Sequence, residues 1–264
     1  MRKNLTKETE IKLPNSNPII EGLRNITNFL LTNVDVTFSG IENLKSINTP
    51  IIFVIAPHNG HMDSLFARRA IGRASRRAKN KAIFVAAGDG YWDKEPRKSA
   101  SSLAVRTFTI SRKGGEETKK NKKQIETIIR QGNNVALFPE GTRSRNPEKK
   151  MNEREFKTGA AQWAIATRDL RTVIVPIFMQ GTEQIMPPGT SLPKFRESTG
   201  KKKFKVSISI GEPITIAEQI PNNFESLSEK KQYEIIKKIT AQLHSYMQAQ
   251  EEFHTRGTRL IEAY

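Results

Sequence analysis

The 264-residue chain contains no cysteine. Disulfides, thiolate metal sites and a cysteine nucleophile are therefore excluded, and the composition suits a reducing compartment. Acidic residues are scarce beside basic ones: 27 Asp and Glu against 44 Lys and Arg leave a formal charge of +17. Such a surface attracts polyanions, whether nucleic acid, anionic lipid headgroups or acidic carrier proteins. Aromatic residues make up only 7%. No aromatic RNA-binding motif or zinc-ligand spacing accompanies the charge, so no specific nucleic-acid partner is expected. Long apolar runs are also missing. No stretch approaches the ~18 apolar residues that suggest a membrane span. Met1 to Asn17 is polar and lacks the apolar segment of a secretory signal. The expectation is a cytoplasmic protein with no signal peptide or transmembrane helix, meeting any membrane peripherally.

The length allows one sizeable core. Residues 1–16 read as a mobile polar arm, and 17–264 as a single domain with a motif-bearing core over 35–215 and a C-terminal helical segment over 226–264. Pro18 opens a helical pattern that runs to Leu31. Val34 to Phe38 alternates like a strand. Pro50–Ala56, Ala82–Ala87, Thr107–Ile110, Val135–Phe138 and Thr172–Met179 are β-rich runs, several continuous enough for central parallel strands. Between them fall helical patterns from Ser64 to about Lys79, Glu116 to Arg130 and Phe156 to Ala166. A late strand covers Phe204–Ile210, and a long amphipathic helix covers Glu229–Gln250. Alternating strands and helices predict an α/β fold: a mainly parallel central sheet flanked by helices, with N- and C-terminal helical extensions.

Two loops carry the chemistry. Pro57-His58-Asn59-Gly60-His61-Met62-Asp63 follows one apolar strand, and Phe138-Pro139-Glu140-Gly141-Thr142-Arg143-Ser144-Arg145 follows another. In an open α/β sheet such loops gather at the carboxyl ends of the strands, where ligands bind. Asp63 bonded to one imidazole nitrogen of His58 would fix the tautomer and leave the other nitrogen to accept a proton. Gly141 permits close backbone approach to a ligand, and Arg143 has the fork geometry suited to phosphate. Glu140 can accept from hydroxyls or orient Arg143. The bland alternatives are a helix-capping Asp63 beside an incidental His58, and a turn with a surface ion pair.

Together and in this order, the two loops resemble the glycerolipid acyltransferase family, in its lysophosphatidic-acid-acyltransferase-like domain. His58 to Asp63 matches its catalytic H-x4-D block. Ile110-Ser111-Arg112-Lys113-Gly114 resembles its second block, whose arginine helps to bind the acceptor phosphate. Phe138 to Arg143 matches the third block, and Val175-Pro176-Ile177 the fourth, near the acyl-donor region. The resemblance implies transfer of a fatty acyl group from acyl-CoA or an acyl carrier protein thioester to the hydroxyl of a phosphate-bearing lysolipid, with 1-acylglycerol-3-phosphate the first candidate. It implies His58 and Asp63 as the catalytic pair, and Arg112, Glu140, Gly141, Thr142 and Arg143 around the acceptor phosphate. Pro176 would mark the donor region, an anionic membrane surface would be a peripheral partner, and no cofactor or metal is implied.

The chain departs from the family pattern at Gly60, where many members carry serine, and in the extra His61 inside the first block. His58, His61 and Asp63 are thus also a candidate metal-ligand set, although His244 and His254, the other two histidines, read as surface residues of a C-terminal helix. Ser144 is not in a nucleophile elbow. The arginines at 68, 69, 73, 76 and 77 are candidates for anionic headgroups or for a solvated helix face. Lys201-Lys202-Lys203 reads as a solvated turn. Other readings are acylation of a different lysolipid or soluble hydroxyl acceptor, and a basic nucleic-acid- or lipid-binding protein without catalysis.

Overall fold

The computed structural model describes residues 11, 32–87, 105–111, 113–187, 189–190, 192–196 and 202–262, with side chains described except at 87 and 256–262. Apart from residue 11, the expected N-terminal arm and the Pro18–Leu31 helix lie outside these residues. So do the loop carrying Tyr91 and Trp92, and Arg112.

Among the described residues, eight strands form one sheet: β1 (Asp35–Ser39), β2 (Ile51–Ala56), β3 (Ala82–Ala87), β4 (Thr107–Ile110), β5 (Asn134–Leu137), β6 (Val173–Gln180), β7 (Lys205–Ile210) and β8 (Ile214–Thr215). The order is β1-β7-β6-β2-β5-β3-β4, with β8 also on β6. All pairings are parallel except β6 with β7 and β6 with β8. The strands span residues 35 to 215, the stretch expected to hold the motifs.

β2 lies in the middle, and all six of its residues are buried. Strand alternation divides them between two cores. Ile51, Phe53 and Ile55 join Leu65, Phe66 and Ile71 of helix α1 (Asp63–Ala74) on one face. Ile52, Val54 and Ala56 join the other face, beneath α3 (Gly115–Arg130), α4 (Gly159–Ala166) and α5 (Glu229–Glu262). The result is a three-layer α/β arrangement.

Several boundaries differ from the sequence pattern. The helix expected from Ser64 to Lys79 is two, because Ser75 turns extended and its hydroxyl accepts from the Ala78 amide at 3.2 Å, starting α2 (Arg76–Lys81) as an N-cap. The break changes the arginine row. Arg68 is buried and donates to the Lys79 carbonyl at 3.1 Å, and the Arg69 guanidinium lies 6.0 Å from the Phe38 ring centroid. Arg77 donates to Asn48 at 2.7 Å, while Arg73 and Arg76 are exposed. The helix expected from Phe156 begins only at Gly159. Residues 154 to 157 are irregular instead, and the Lys157 amide donates to the Pro139 carbonyl at 2.7 Å. The last helix continues beyond Gln250 to Glu262.

Pro176 sits inside β6, a place that a residue without an N–H usually cannot take. It is tolerated because β6 changes partner there. β8 pairs with Val173 and Ile174, β7 from Ile177 onward, and the Gly211 amide donates to the Pro176 carbonyl at 2.8 Å. Any side chain at Gly211 would press on Pro176 and on the Tyr246 hydroxyl.

Candidate active site

β2 and β5 are neighbours, with Val54 opposite Leu137, so the two loops leave the sheet side by side at its carboxyl edge. After the cis Ala56–Pro57 bond the chain turns into the His58 loop. The Asp63 side chain is fully buried beneath that loop. His58 Nδ1 donates to Asp63 Oδ2 at 2.8 Å, and the Asn59 and Gly60 amides donate to the same oxygen at 2.8 and 2.9 Å. Three donors thus converge on one carboxylate oxygen. The imidazole proton therefore belongs on Nδ1, and Nε2 keeps its lone pair. Asp63 Oδ1 is buried and accepts from none of the described residues.

Gly60 explains one departure from the family pattern. A Cβ there would stand 2.9 Å from Asp63 Oδ1 and 3.0 Å from the Thr182 carbonyl oxygen. The loop closes over Asp63 because nothing projects at that point. Nearby Glu183 has its pKa raised above the ordinary carboxylate value by burial first, with the Asp63 carboxylate adding to the rise.

The second loop splits into two halves. Phe138 stacks on the His58 ring, with centroids 3.9 Å apart and planes 15° apart. Glu140 turns inward, where Oε1 accepts from the His58 amide at 2.7 Å and Oε2 from Arg154 Nη1 at 2.7 Å. Glu140 was expected beside the acceptor phosphate or against Arg143. Instead both its oxygens are bound to the protein, and its cation is Arg154. Gly141 has φ +73° and its amide donates to the Phe138 carbonyl at 3.0 Å, so that N–H closes a turn and does not point at a ligand. Thr142 and Arg143 face outward into a cavity, and Arg143 Nη1 donates to His61 Nδ1. The Ser144 amide ties the two loops together by donating to the His58 carbonyl at 2.8 Å.

Arg154 was not foreseen. It is buried and donates to Glu140, to Asn59 Oδ1 at 2.9 Å and to the Lys149 carbonyl. One guanidinium thus braces both loops. Asn121 was missed as well. From α3 it accepts from the Ser111 amide at 3.2 Å and donates to the Ser111 carbonyl at 2.6 Å, pinning the residue before Arg112. A polar residue on an otherwise apolar helix face was the available signal.

His58, His61, Thr142 and Arg143 line a cavity of about 1240 Å³. Its other walls come from β3, the Val105–Ser111 stretch, α3, α4 and α5. Pro176 is not among its described lining residues. His244 is not a simple surface residue, since it lines this cavity, bonds the Met151 carbonyl through Nε2 at 2.9 Å and meets Phe156 edge-on. His254 stacks on Phe178 at 5.3 Å, and burial lowers its pKa. Among the described residues, no group of three or more His, Cys, Asp or Glu could hold a metal ion. None of the described helices is long and apolar enough to cross a membrane.

A chloroplastic 1-acyl-sn-glycerol-3-phosphate acyltransferase of Arabidopsis thaliana is 28% identical over 155 residues, which is 59% of this chain and 38% of the relative. Another, from Brassica napus, is 28% identical over 151 residues, 57% of this chain and 39% of the relative. The matches thus span well under half the length of these relatives. A solved structure, the 1-acyl-sn-glycerophosphate acyltransferase PlsC from Thermotoga maritima, superposes with a TM-score of 0.49 at 18% identity, covering 88% of this chain and 81% of that one. The sequence profile described as Acyltransferase matches residues 35–180, from β1 through β6 and both loops. This chain belongs to the acyltransferase family.

Proposed function

We propose that this protein transfers a fatty acyl group from a thioester donor, acyl-CoA or acyl carrier protein, to the hydroxyl of a phosphate-bearing lysolipid such as 1-acylglycerol-3-phosphate. The observation that carries the reading is the buried Asp63 carboxylate. It fixes His58 Nδ1–H and leaves Nε2 as a base on a cavity that is partly apolar and partly cationic. The names of the relatives favour the same acceptor.

In this reading His58 Nε2 takes the proton of the acceptor hydroxyl as its oxygen attacks the thioester carbonyl. The new C–O bond forms and the C–S bond breaks, and the imidazolium returns its proton to the departing sulfur. Asp63 stabilises the imidazolium in between, and the Phe138 stack keeps the ring in plane. No covalent enzyme intermediate is required. Arg143 and Thr142 hold the acceptor phosphate, with Arg112 as a further candidate cation. Such positioning supplies up to roughly 7–11 kcal/mol of barrier reduction. Glu140 and Arg154 act one step back, by fixing the His58 backbone. The net charge of +17 favours peripheral work at an anionic membrane surface.

The test is a labelled acyl-CoA offered with glycerol-3-phosphate, lysophosphatidic acid and neutral lysolipids, to wild type and to His58→Ala. Transfer to the phosphate-bearing lysolipid that vanishes in a folded His58→Ala protein is expected. Equal transfer by both proteins removes His58 as the base, and a preference for neutral acceptors removes the phosphate role of Arg143.

A further inference from the structure

The cavity has two unlike arms. Toward the sheet its wall is apolar, with Phe84, Val105, Ile110 and Leu137. Toward the helices it is an open, polar groove between α3, α4 and α5. One stripe of α5 forms its side: Tyr233, Lys237, Thr240, Ala241, His244 and Ser245. The spacing of three and four residues puts them on one helix face, about 18 Å long at 1.5 Å per residue. Across the groove stand Thr118 and Lys122 of α3 and Gln162 of α4. Lys122 and Lys237 are both exposed, and Lys237 Nζ lies 5.0 Å from the Tyr233 ring centroid. Among the described lining residues, Lys122, Arg143, Lys157 and Lys237, with Arg154 already paired to Glu140, stand against one carboxylate, Glu155, which sits 3.5 Å from Lys157 Nζ. The whole α5 stripe lies outside residues 35–180, so the family match does not assign it.

We infer that this groove seats the phosphopantetheine arm of the acyl donor, with Lys122 and Lys237 on its phosphate. The inference rests on the acyl-transfer reading and adds the donor's place to it. The arm is thin and carries amides and a hydroxyl along its length, with a phosphate at its far end. An apolar channel would leave those amides unpaired, whereas Thr240, Ser245, Gln162 and His244 offer polar partners. The lysines supply the opposite charge where the arm leaves the protein. The thioester at the near end reaches His58, and the acyl chain turns into the apolar arm. Pro176 has no part in this, buried as it is in β6. The arm is common to CoA and to acyl carrier protein, so the groove serves either source.

The test uses the full chain with two variants: Lys122→Glu paired with Lys237→Glu, and Ala241→Trp, which fills the groove from an exposed position. The charge reversal is expected to raise donor KM at least about tenfold while acceptor KM changes less than about twofold. An acyl-pantetheine donor lacking the phosphate is expected to feel no charge reversal but to be hindered by Ala241→Trp. Acyl-CoA and acyl carrier protein run side by side should both show the shift, and the source is the donor with the higher wild-type kcat/KM. Calorimetric titration with free CoA and with holo carrier protein, without acceptor, separates the two readings. Binding lost in the variants of a protein that transfers nothing keeps the groove and removes the reaction. Transfer with donor KM unmoved in both variants keeps the reaction and overturns the groove.

Discussion

Glu140 and Arg143 lie three residues apart in one motif, yet the fold sends them opposite ways. Glu140 is nearly buried, and each carboxylate oxygen is taken by the protein, one by the His58 amide and one by Arg154. Arg143 lines the cavity beside His61. The inward half of the motif builds the neighbouring loop, and the outward half is available to a ligand. The turn at Gly141 separates them: its positive φ, and its amide spent on the Phe138 carbonyl, reverse the chain between the two roles. A sequence motif read as one ligand-binding unit is therefore two devices, and they should fail differently.

The largest effect is expected at the inward half. Arg154→Met leaves Glu140 buried without its cation, and breaking such a pair costs about 3–5 kcal/mol. Urea denaturation should show that loss. The double variant Arg154→Met with Glu140→Gln should recover part of it, because no buried charge is then left alone. Intact stability in Arg154→Met would erase the contrast between the halves. Next comes Arg143→Ala, which should leave stability near wild type and raise KM for phosphate-bearing acceptors by an amount worth about 1.5–3 kcal/mol. Its KM for neutral acceptors should stay put, and a uniform rise across acceptors would deny it a phosphate role. Phe138→Leu removes only the stack on His58, so a loss of about 0.5–1.5 kcal/mol in stability is expected, with kcat falling more than KM rises.

The smallest effect is at Glu183. Its folded-state pKa is raised, chiefly by burial. In the folded protein it keeps a proton that the unfolded chain has already lost. Its contribution to stability is complete below the usual carboxylate value of 4.5 and disappears as pH rises through the higher folded value. Glu183→Gln should flatten that part of the stability–pH curve, and a slope equal to that of wild type would remove Glu183 from the account.

Much of this architecture was legible in the chain. The run Ile51–Ala56 reads as a strand buried on both faces and is one: it is short, rich in β-branched residues and sits in a mainly parallel sheet covered on both sides. His58 and Asp63 are weak as a spacing alone; the second loop and the family resemblance single them out, and the fold brings them within 2.8 Å of each other. The residues that brace their loop are not legible in the same way. Arg154 lies fourteen residues beyond Glu140 in a charged stretch that looks like solvent-facing chain. The irregular backbone at 154–157 carries its guanidinium under both loops, in place of the helical pattern starting at Phe156. Ser75 broke a helix through one hydroxyl, a competition that apolar periodicity does not register. Pro176 is a related case. Its motif is recognisable, but its place in the molecule is set by β6 changing partners, which only the sheet topology reveals.

The central claim is that Asp63 holds His58 in the tautomer that takes the acceptor's proton. Single-turnover acyl transfer by Asp63→Asn tests it most directly. An asparagine oxygen can still accept from the Asn59 and Gly60 amides, so the loop should survive, as circular dichroism and unfolding would verify. The account predicts a fall of about 10³–10⁴-fold in the chemical step with the folded state retained. A folded Asp63→Asn protein that transfers the acyl group within tenfold of the wild-type rate would contradict it.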